Sequence, residues 1–261
     1  MEEQEYLHMF EEEECHWWYA GMRSIVLSLL PPASLKTNPF VLDAGCGTGF
    51  NMEWLRRQYG AGVIGFDYSP YGLDFCRRRG ERGLARADAA SLPYAQNVFD
   101  LVVSFDVLTQ LKNDSARRAA LAEFQRVLKP GGRLLLRVAA YERLRSSHDM
   151  AIMTYHRYGR KELRDAAVDA GFRLVRQTSA NTILFPVAAA WRILKKAGLV
   201  AAGSDVRSNT RGGGRMNRVM LSILRLEASM LRHSCCNFGF GLSIFLLAAK
   251  PFSRRNQAVK E

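Results

Sequence analysis

The sequence predicts an α/β fold, an open doubly wound sheet with helices on both faces. Between about residues 39 and 140, short apolar runs alternate with helical stretches, a pattern that lays successive strands parallel. The runs close on acidic residues, Asp43, Asp67, Asp88 and Asp106, and the first leads into a glycine-rich turn. Sheets of this kind bind ligands outside the carboxyl ends of their strands. Polar residues gathered at strand ends are therefore the first sign of function.

The elements follow in order. Up to about Leu30 the chain reads as helical, with Tyr6, Phe10, Trp17, Trp18, Ile25, Val26 and Leu29 as apolar positions and Pro31-Pro32 as the stop. Phe40-Val41-Leu42 is the first strand, followed by a helix from about Gly49 to Tyr59. Val63 to Phe66 is the second strand, and Pro70 starts the next helix, where its fixed φ is favourable. Gly83 to Ala87 is a weaker third strand. Phe99 to Phe105 is a fourth, Asp114 to Leu128 a helix, Lys129-Pro-Gly-Gly132 a turn, and Arg133 to Val138 the fifth strand. Tyr141 to Tyr158 is polar and irregular. A helix from Gly159 to Ala170 then precedes a sixth strand, Phe172 to Gln177. Ile183 to about Arg232 reads as an insertion. It holds an apolar helix near Pro186 to Leu194, a basic linker from Gly203 to Arg215 and an amphipathic helix from Met216 to Leu231. Gly241 to Ala248 is the seventh strand. The expected units are a helical lid (1–38), the sheet core (39–182), a helical cap (183–236) and a last strand with a basic tail (237–261).

The chain has 261 residues and a net charge of +12, unevenly spread. The first fourteen residues hold seven Glu and no Lys or Arg, whereas Ile183 to the end holds thirteen Lys/Arg against three acids. Such a surplus attracts phosphates, nucleic acid or an anionic membrane, or merely keeps a face solvated. The five cysteines, Cys15, Cys46, Cys76, Cys235 and Cys236, show no C-x-x-C spacing, so neither a metal cluster nor a secreted disulfide framework is expected. The acidic start does not resemble a targeting peptide. The longest apolar run, Phe238 to Ala249, is far short of the roughly 20 residues a membrane span needs. A cytoplasmic protein is expected.

Glycines after the first strand let a ligand approach the backbone at the start of the following helix. The dinucleotide fingerprint asks for G-x-G-x-x-G, but Gly45-Cys-Gly-Thr-Gly-Phe50 brings its third glycine one residue early. Asp43 just before the loop would repel a pyrophosphate and suits a ligand bearing ammonium and sulfonium charges. Asp67, at the end of the second strand, stands where a carboxylate accepts both ribose hydroxyls. Asp88 can reach an adenine amino group.

With these residues the sequence resembles a class I S-adenosylmethionine (SAM)-dependent methyltransferase of the ubiquinone/menaquinone-methyltransferase-like, type 11 group. Val41-Leu-Asp-Ala-Gly-Cys-Gly-Thr-Gly49 resembles that family's first motif and Gly65-Phe-Asp-Tyr-Ser69 its second. Ala87-Asp-Ala89 with Leu92-Pro-Tyr94 resembles the third, and Phe99-Asp-Leu-Val-Val-Ser104 the fourth. Arg126-Val-Leu-Lys-Pro-Gly-Gly132 resembles the turn into strand five. The resemblance implies a Rossmann-like sheet of seven strands, the last antiparallel. It implies SAM as cofactor and S-adenosylhomocysteine as product. It gives the methionine part to Asp43 and the loop of Gly45, Cys46 and Gly47, and the ribose to Asp67. Adenine goes to Tyr68, Asp88 and Ala89, and the carbonyl of Phe105 faces the methionine ammonium. Many relatives carry Glu-His after the fourth strand, where this chain has Thr109-Gln110. A histidine base is absent at that position.

On the acceptor side, Cys15-His-Trp-Trp-Tyr19 followed by Arg23 resembles a segment that covers the cofactor pocket in some bacterial relatives. Trp17, Trp18 and Tyr19 either form an apolar lid or pack their helix on the sheet, and Arg23 is a candidate partner for the methionine carboxylate. His148, His156 and Tyr19 are the catalytic candidates. Trp17, Trp18, Gln110, Tyr158, Phe185 and Trp191 are the acceptor-binding candidates. Arg192, Lys195, Lys196, Arg211, Arg215 and Arg218 would rim the pocket with positive charge. The expected function is methyl transfer by in-line displacement to a small-molecule acceptor, aromatic, isoprenoid or otherwise lipid-like, anionic ones included. The chain is expected to act as a monomer or homodimer. An RNA methyltransferase using the basic C-terminal third is the alternative, although position 104 onward reads Ser-Phe-Asp-Val and lacks the Pro-Pro motif of amino-methylating nucleic-acid enzymes. Nucleic acid is therefore not the expected partner. A non-enzymatic cofactor binder is a third class.

Overall fold

The computed structural model describes residues 3–186, 190 and 214–252, without the side chains of Ser147 and His148. Most of the expected helix near Pro186–Leu194 and nearly all of the linker to Arg215 lie outside the described residues, as do Trp191, Arg192, Lys195, Lys196 and Arg211.

Seven strands form one sheet: β1 (Phe40–Ala44), β2 (Gly62–Asp67), β3 (Leu84–Arg86), β4 (Phe99–Phe105), β5 (Leu128–Ala139), β6 (Arg173–Ala180) and β7 (Ser243–Ala249). Their order is β3-β2-β1-β4-β5-β7-β6. Strands β1 to β5 pair in parallel, and β7 runs antiparallel between β5 and β6. The winding reverses between β1 and β4, and that switch point is where a ligand crevice belongs. The expected Rossmann-like sheet with its antiparallel last strand is the one found.

Alternate side chains of the buried strands feed two apolar layers. Val41, Leu101 and Val103 join one and Leu42, Val102 and Leu134 the other, each fully buried. The first layer packs under α2 (Trp17–Leu29), α3 (Phe50–Tyr59), α4 (Pro70–Arg78) and the long helix α9 (Arg215–Leu231). The second packs under α6 (Asp114–Val127) and α8 (Arg160–Asp169). Short helices α5 (Val107–Gln110) and α7 (Ser147–Ala151) follow β4 and β5.

The N-terminal segment differs from the single helix expected. It divides into α1 (Glu3–Glu12) and α2, and the His16 side chain caps α2 by accepting the Trp18 N–H. Moreover, α2 is as much core as cover: Met22, Ile25, Val26 and Leu29 are buried against the sheet. It lies against α9, with Gly21 at the crossing. A Cβ there would stand 2.3 Å from Leu224 Cδ1, so a side chain would force the helices apart. The expected turn Lys129–Gly132 is the start of β5, tied to Lys250 through Gly131 N–H and Gly132 C=O. Tyr158, expected to face the acceptor, is 2% exposed and packs with Leu163 and Ala167 beneath α8. Its flanking residues are polar, which masked its role as a core aromatic. Among the described residues no helix is long and apolar enough to cross a membrane.

Candidate active site

The glycine loop is joined to the end of β2. Gly45 and Cys46 both donate N–H to the Phe66 carbonyl at 2.9 Å, and Gly47 N–H donates to Asp67 Oδ2 at 2.9 Å. Gly45 has φ +77°, where a side chain is strained, and an added Cβ would lie 2.1 Å from Val107 Cγ2. Two independent constraints therefore require glycine at this position. Cys46 sends its side chain into the core, 3.8 Å from Cys76 Sγ, and has only backbone to offer a ligand.

Asp43 is 1% exposed, and its Oδ2 has no hydrogen-bond partner. Burial first, and then the acidic neighbours Asp67, Glu13 and Glu81, push its pKa up to about 8. A buried acceptor without a donor is costly unless a ligand supplies one. An arriving ammonium meets that need, so the residue fits the cofactor the sequence implies. Asp67 is also buried. Burial raises its pKa, against three hydrogen bonds that favour the charged form, from Ser69 N–H, Gly47 N–H and Tyr6 O–H.

The remaining cofactor candidates take different positions. Asp88 lies two residues beyond β3, exposed, and accepts the Ala90 N–H at 2.9 Å. Ala89 is buried in the core. Tyr68 is 71% exposed at the end of β2. Phe105 closes β4 with its ring 5.1 Å from the Arg137 guanidinium. Arg23 has partners within the protein. It donates to the Glu13 and Glu14 carbonyls at 2.7 and 3.4 Å and covers the Phe50 ring at 4.4 Å, and burial pulls its pKa down to about 10. It fastens the α1–α2 junction to the start of α3.

Sequence reasoning missed three residues at this loop and one at the ends of β4 and β5. Tyr6 donates its hydroxyl to Asp67 Oδ1 at 3.3 Å. The methyl of Met9 lies 3.2 Å from where a Cβ on Gly47 would stand. Glu13, 4% exposed, accepts the Thr48 hydroxyl and pairs with Arg79 at 3.0 Å, and burial raises its pKa. Arg137 pairs with Asp106 at 2.6 Å between the rings of Trp18 and Phe105. The spacing 6, 9, 10, 13 was the available helical signal. The run of glutamates around it obscured the stripe.

Of the acceptor-side candidates, Trp18 and Tyr19 stand near the ends of β4 and β5, while Trp17 lies beside His16 with its backbone N–H on Asn217 of α9. Trp17 and Trp18 are half-buried against the sheet layer. Trp18 meets Tyr19 edge-on at 5.0 Å and stacks on Arg137 at 4.6 Å. Burial, and next the charge of Glu13, raise the Tyr19 pKa, so its phenol stays neutral and is no base near neutral pH. His156 is bound by Glu162 at 2.5 Å at the start of α8, with its ring on Tyr158. The side chain of His148 lies outside the described residues, and its neighbour Asp149 is held in a buried pair with Arg157 at 2.7 Å. Gln110 donates to the Ile152 carbonyl at 3.1 Å, while the Thr109 carbonyl accepts from Tyr155 and His156. The departure at 109–110 thus anchors the segment after β5. Phe185 meets Tyr141 at 6.1 Å and Phe240 at 5.6 Å, beyond the ends of β6 and β5 and ahead of β7. Among the described residues no group of His, Cys, Asp and Glu could hold a metal ion. An open depression of about 590 Å³ along α9, lined from Arg215 to Leu226, shares no residue with the glycine loop.

Residues 42–136 match the family model described as "Methyltransferase domain". A relative from Encephalitozoon cuniculi, named as a methyltransferase, is 31% identical over 166 residues, covering 56% of this chain and 76% of that protein. The tRNA (carboxymethyluridine(34)-5-O)-methyltransferase of Arabidopsis thaliana is 38% identical over 109 residues, 42% of this chain and 26% of that protein. The chain thus spans about three quarters of the first relative and about a quarter of the second. Among solved structures, the complex of the Haloferax volcanii Trm112 methyltransferase activator with a methyltransferase shares the fold. Its TM-score is 0.61 at 22% identity, over 95% of this chain and 94% of that one.

Proposed function

Because this chain belongs to the class I SAM-dependent methyltransferases, we propose that it methylates a small acceptor with an apolar, aromatic or lipid-like body. When bound, the cofactor supplies an electrophilic methyl group on a positively charged sulfur. Asp43 would take its ammonium, the backbone at Gly45 and Gly47 its methionine arm, and Asp67 the ribose hydroxyls. Tyr68, Asp88 and the Ala89 backbone would meet the adenine. The protein's part in such a displacement is to align the nucleophile and keep water out.

The observation that carries the acceptor class is the aromatic rim along the carboxyl ends of the strands. Trp18, Tyr19 and Phe105 stand near β4 and β5, and Tyr141, Phe185 and Phe240 near β5, β6 and β7. Flat rings of this kind bury apolar bodies and leave few polar demands unmet. The described candidates for a base are engaged or neutral: Tyr19 stays protonated and His156 is bound by Glu162. This supports a nucleophile that needs no strong base, such as an amine or a carboxylate.

A second reading has its own support. The Arabidopsis relative acts, by its name, on a carboxymethyluridine of tRNA, and the C-terminal third of this chain is strongly basic. Incubation with methyl-tritiated cofactor and fractionated cell extract separates the two. Label in the organic-extractable small molecules is expected. Label confined to nuclease-sensitive RNA would replace the first reading with the second.

A further inference from the structure

We infer that α1 occupies the ribose seat of the cofactor site and that Tyr6 is the latch holding it there, so that the cofactor enters only as α1 lifts. The inference rests on Asp67 being the ribose carboxylate, as proposed above. A carboxylate offers about four lone-pair positions. Here Oδ1 accepts both Ser69 N–H (2.9 Å) and Tyr6 O–H (3.3 Å), and Oδ2 accepts Gly47 N–H (2.9 Å). A ribose presenting two hydroxyls needs two positions, and a single one remains. The Ser69 and Gly47 donors belong to the backbone that shapes the site. Tyr6 is the donor that can leave.

The rest of α1 is placed consistently. Met9 lies over Gly47, where the methionine arm must come close, and the Tyr6 ring lies 3.0 Å from where a Cβ on Gly72 would stand. Phe10 rests on Phe75 at 5.0 Å, which docks the helix on α4 through side-chain packing. Its C-terminal end, in contrast, is pinned. Glu13 is bound by Thr48 and Arg79, and its carbonyl accepts from buried Arg23. Helical geometry breaks directly beyond, at residues 13–16. The fixed Glu13 is the pivot, and Tyr6, two turns away, is the free end of the lever.

Tyr6→Phe keeps the ring and removes the latch. Calorimetry and stopped-flow tryptophan fluorescence with S-adenosylhomocysteine read the result. Association about three- to ten-fold faster, with tighter binding, is expected for one weak hydrogen bond to a charged group. Slower association or weaker binding would overturn the inference and make Tyr6 a clamp on the cofactor. Unchanged kinetics would equally overturn it. Hydrogen exchange of the wild-type chain gives a second measure, since amides of residues 3–12 should exchange faster with the ligand present. Slower exchange there contradicts the inference. If wild-type protein binds no S-adenosylhomocysteine, it is the ribose assignment itself that fails.

Discussion

Replacing Asp43 by Asn probes the charge at the deepest point of the site. In the unliganded protein the carboxyl is buried among Asp67, Glu13 and Glu81, and its pKa stands at about 8 instead of 3.8. Near pH 7 it is therefore about nine-tenths protonated. A ligand ammonium against Oδ2 favours the charged form and expels that proton. Binding of SAM near pH 7 should then release about 0.9 proton from this group, falling to about half a proton near pH 8. Calorimetry in buffers of different ionisation enthalpy gives the proton count as a slope. The difference between the wild-type and Asp43→Asn slopes reports the proton change that depends on the Asp43 carboxyl, both on that group and on the amine it pairs with. Stability carries the same signature. The folded pKa lies above the unfolded one, so the contribution is complete below about pH 4 and is lost as the pH rises through about 8, by up to ~1.4 kcal/mol per pH unit. Asp43→Asn should flatten that decline in the unliganded protein. Identical proton counts for the two proteins would refute the electrostatic reasoning.

Gly45→Ala combines a positive φ with a 2.1 Å approach to Val107 Cγ2. It should cost about 2–4 kcal/mol by thermal unfolding, and Val107→Ala in the same chain should recover only the steric part. Full recovery would mean that the backbone conformation carries no strain. His156→Ala removes the bond to Glu162 at the start of α8. It should lower the melting temperature by a few degrees and leave kcat within about three-fold, whereas a loss of about 100-fold at unchanged stability would identify a general base.

The order of strands and helices was legible because the central parallel strands are buried on both faces and end at punctuated turns, as Val41-Leu42 does before Gly45. Asp43 and Asp67 were legible because a strand end fixes where such a side chain must be. The N-terminal residues were not. Tyr6, Met9 and Glu13 reach the loop through tertiary docking of α1, and their spacing is hidden among glutamates that face solvent. Arg23 was assigned to a ligand by resemblance, whereas the helix break beside it exposes carbonyls of Glu13 and Glu14 that claim its guanidinium first. Tyr158 is a pocket candidate in the sequence because it follows strand five on the ligand side of the sheet. Only the packing of α8 on the sheet shows that its ring faces inward.

The central claim is that the glycine loop and the carboxylate at the end of β2 hold SAM. Its most direct test is the equilibrium affinity of S-adenosylhomocysteine for Asp67→Ala beside wild type, with melting temperatures to confirm that both are folded. Loss of the acceptor for two ribose hydroxyls should weaken binding by at least about 2 kcal/mol, some 30-fold. Equal affinity in two folded proteins would place the cofactor elsewhere.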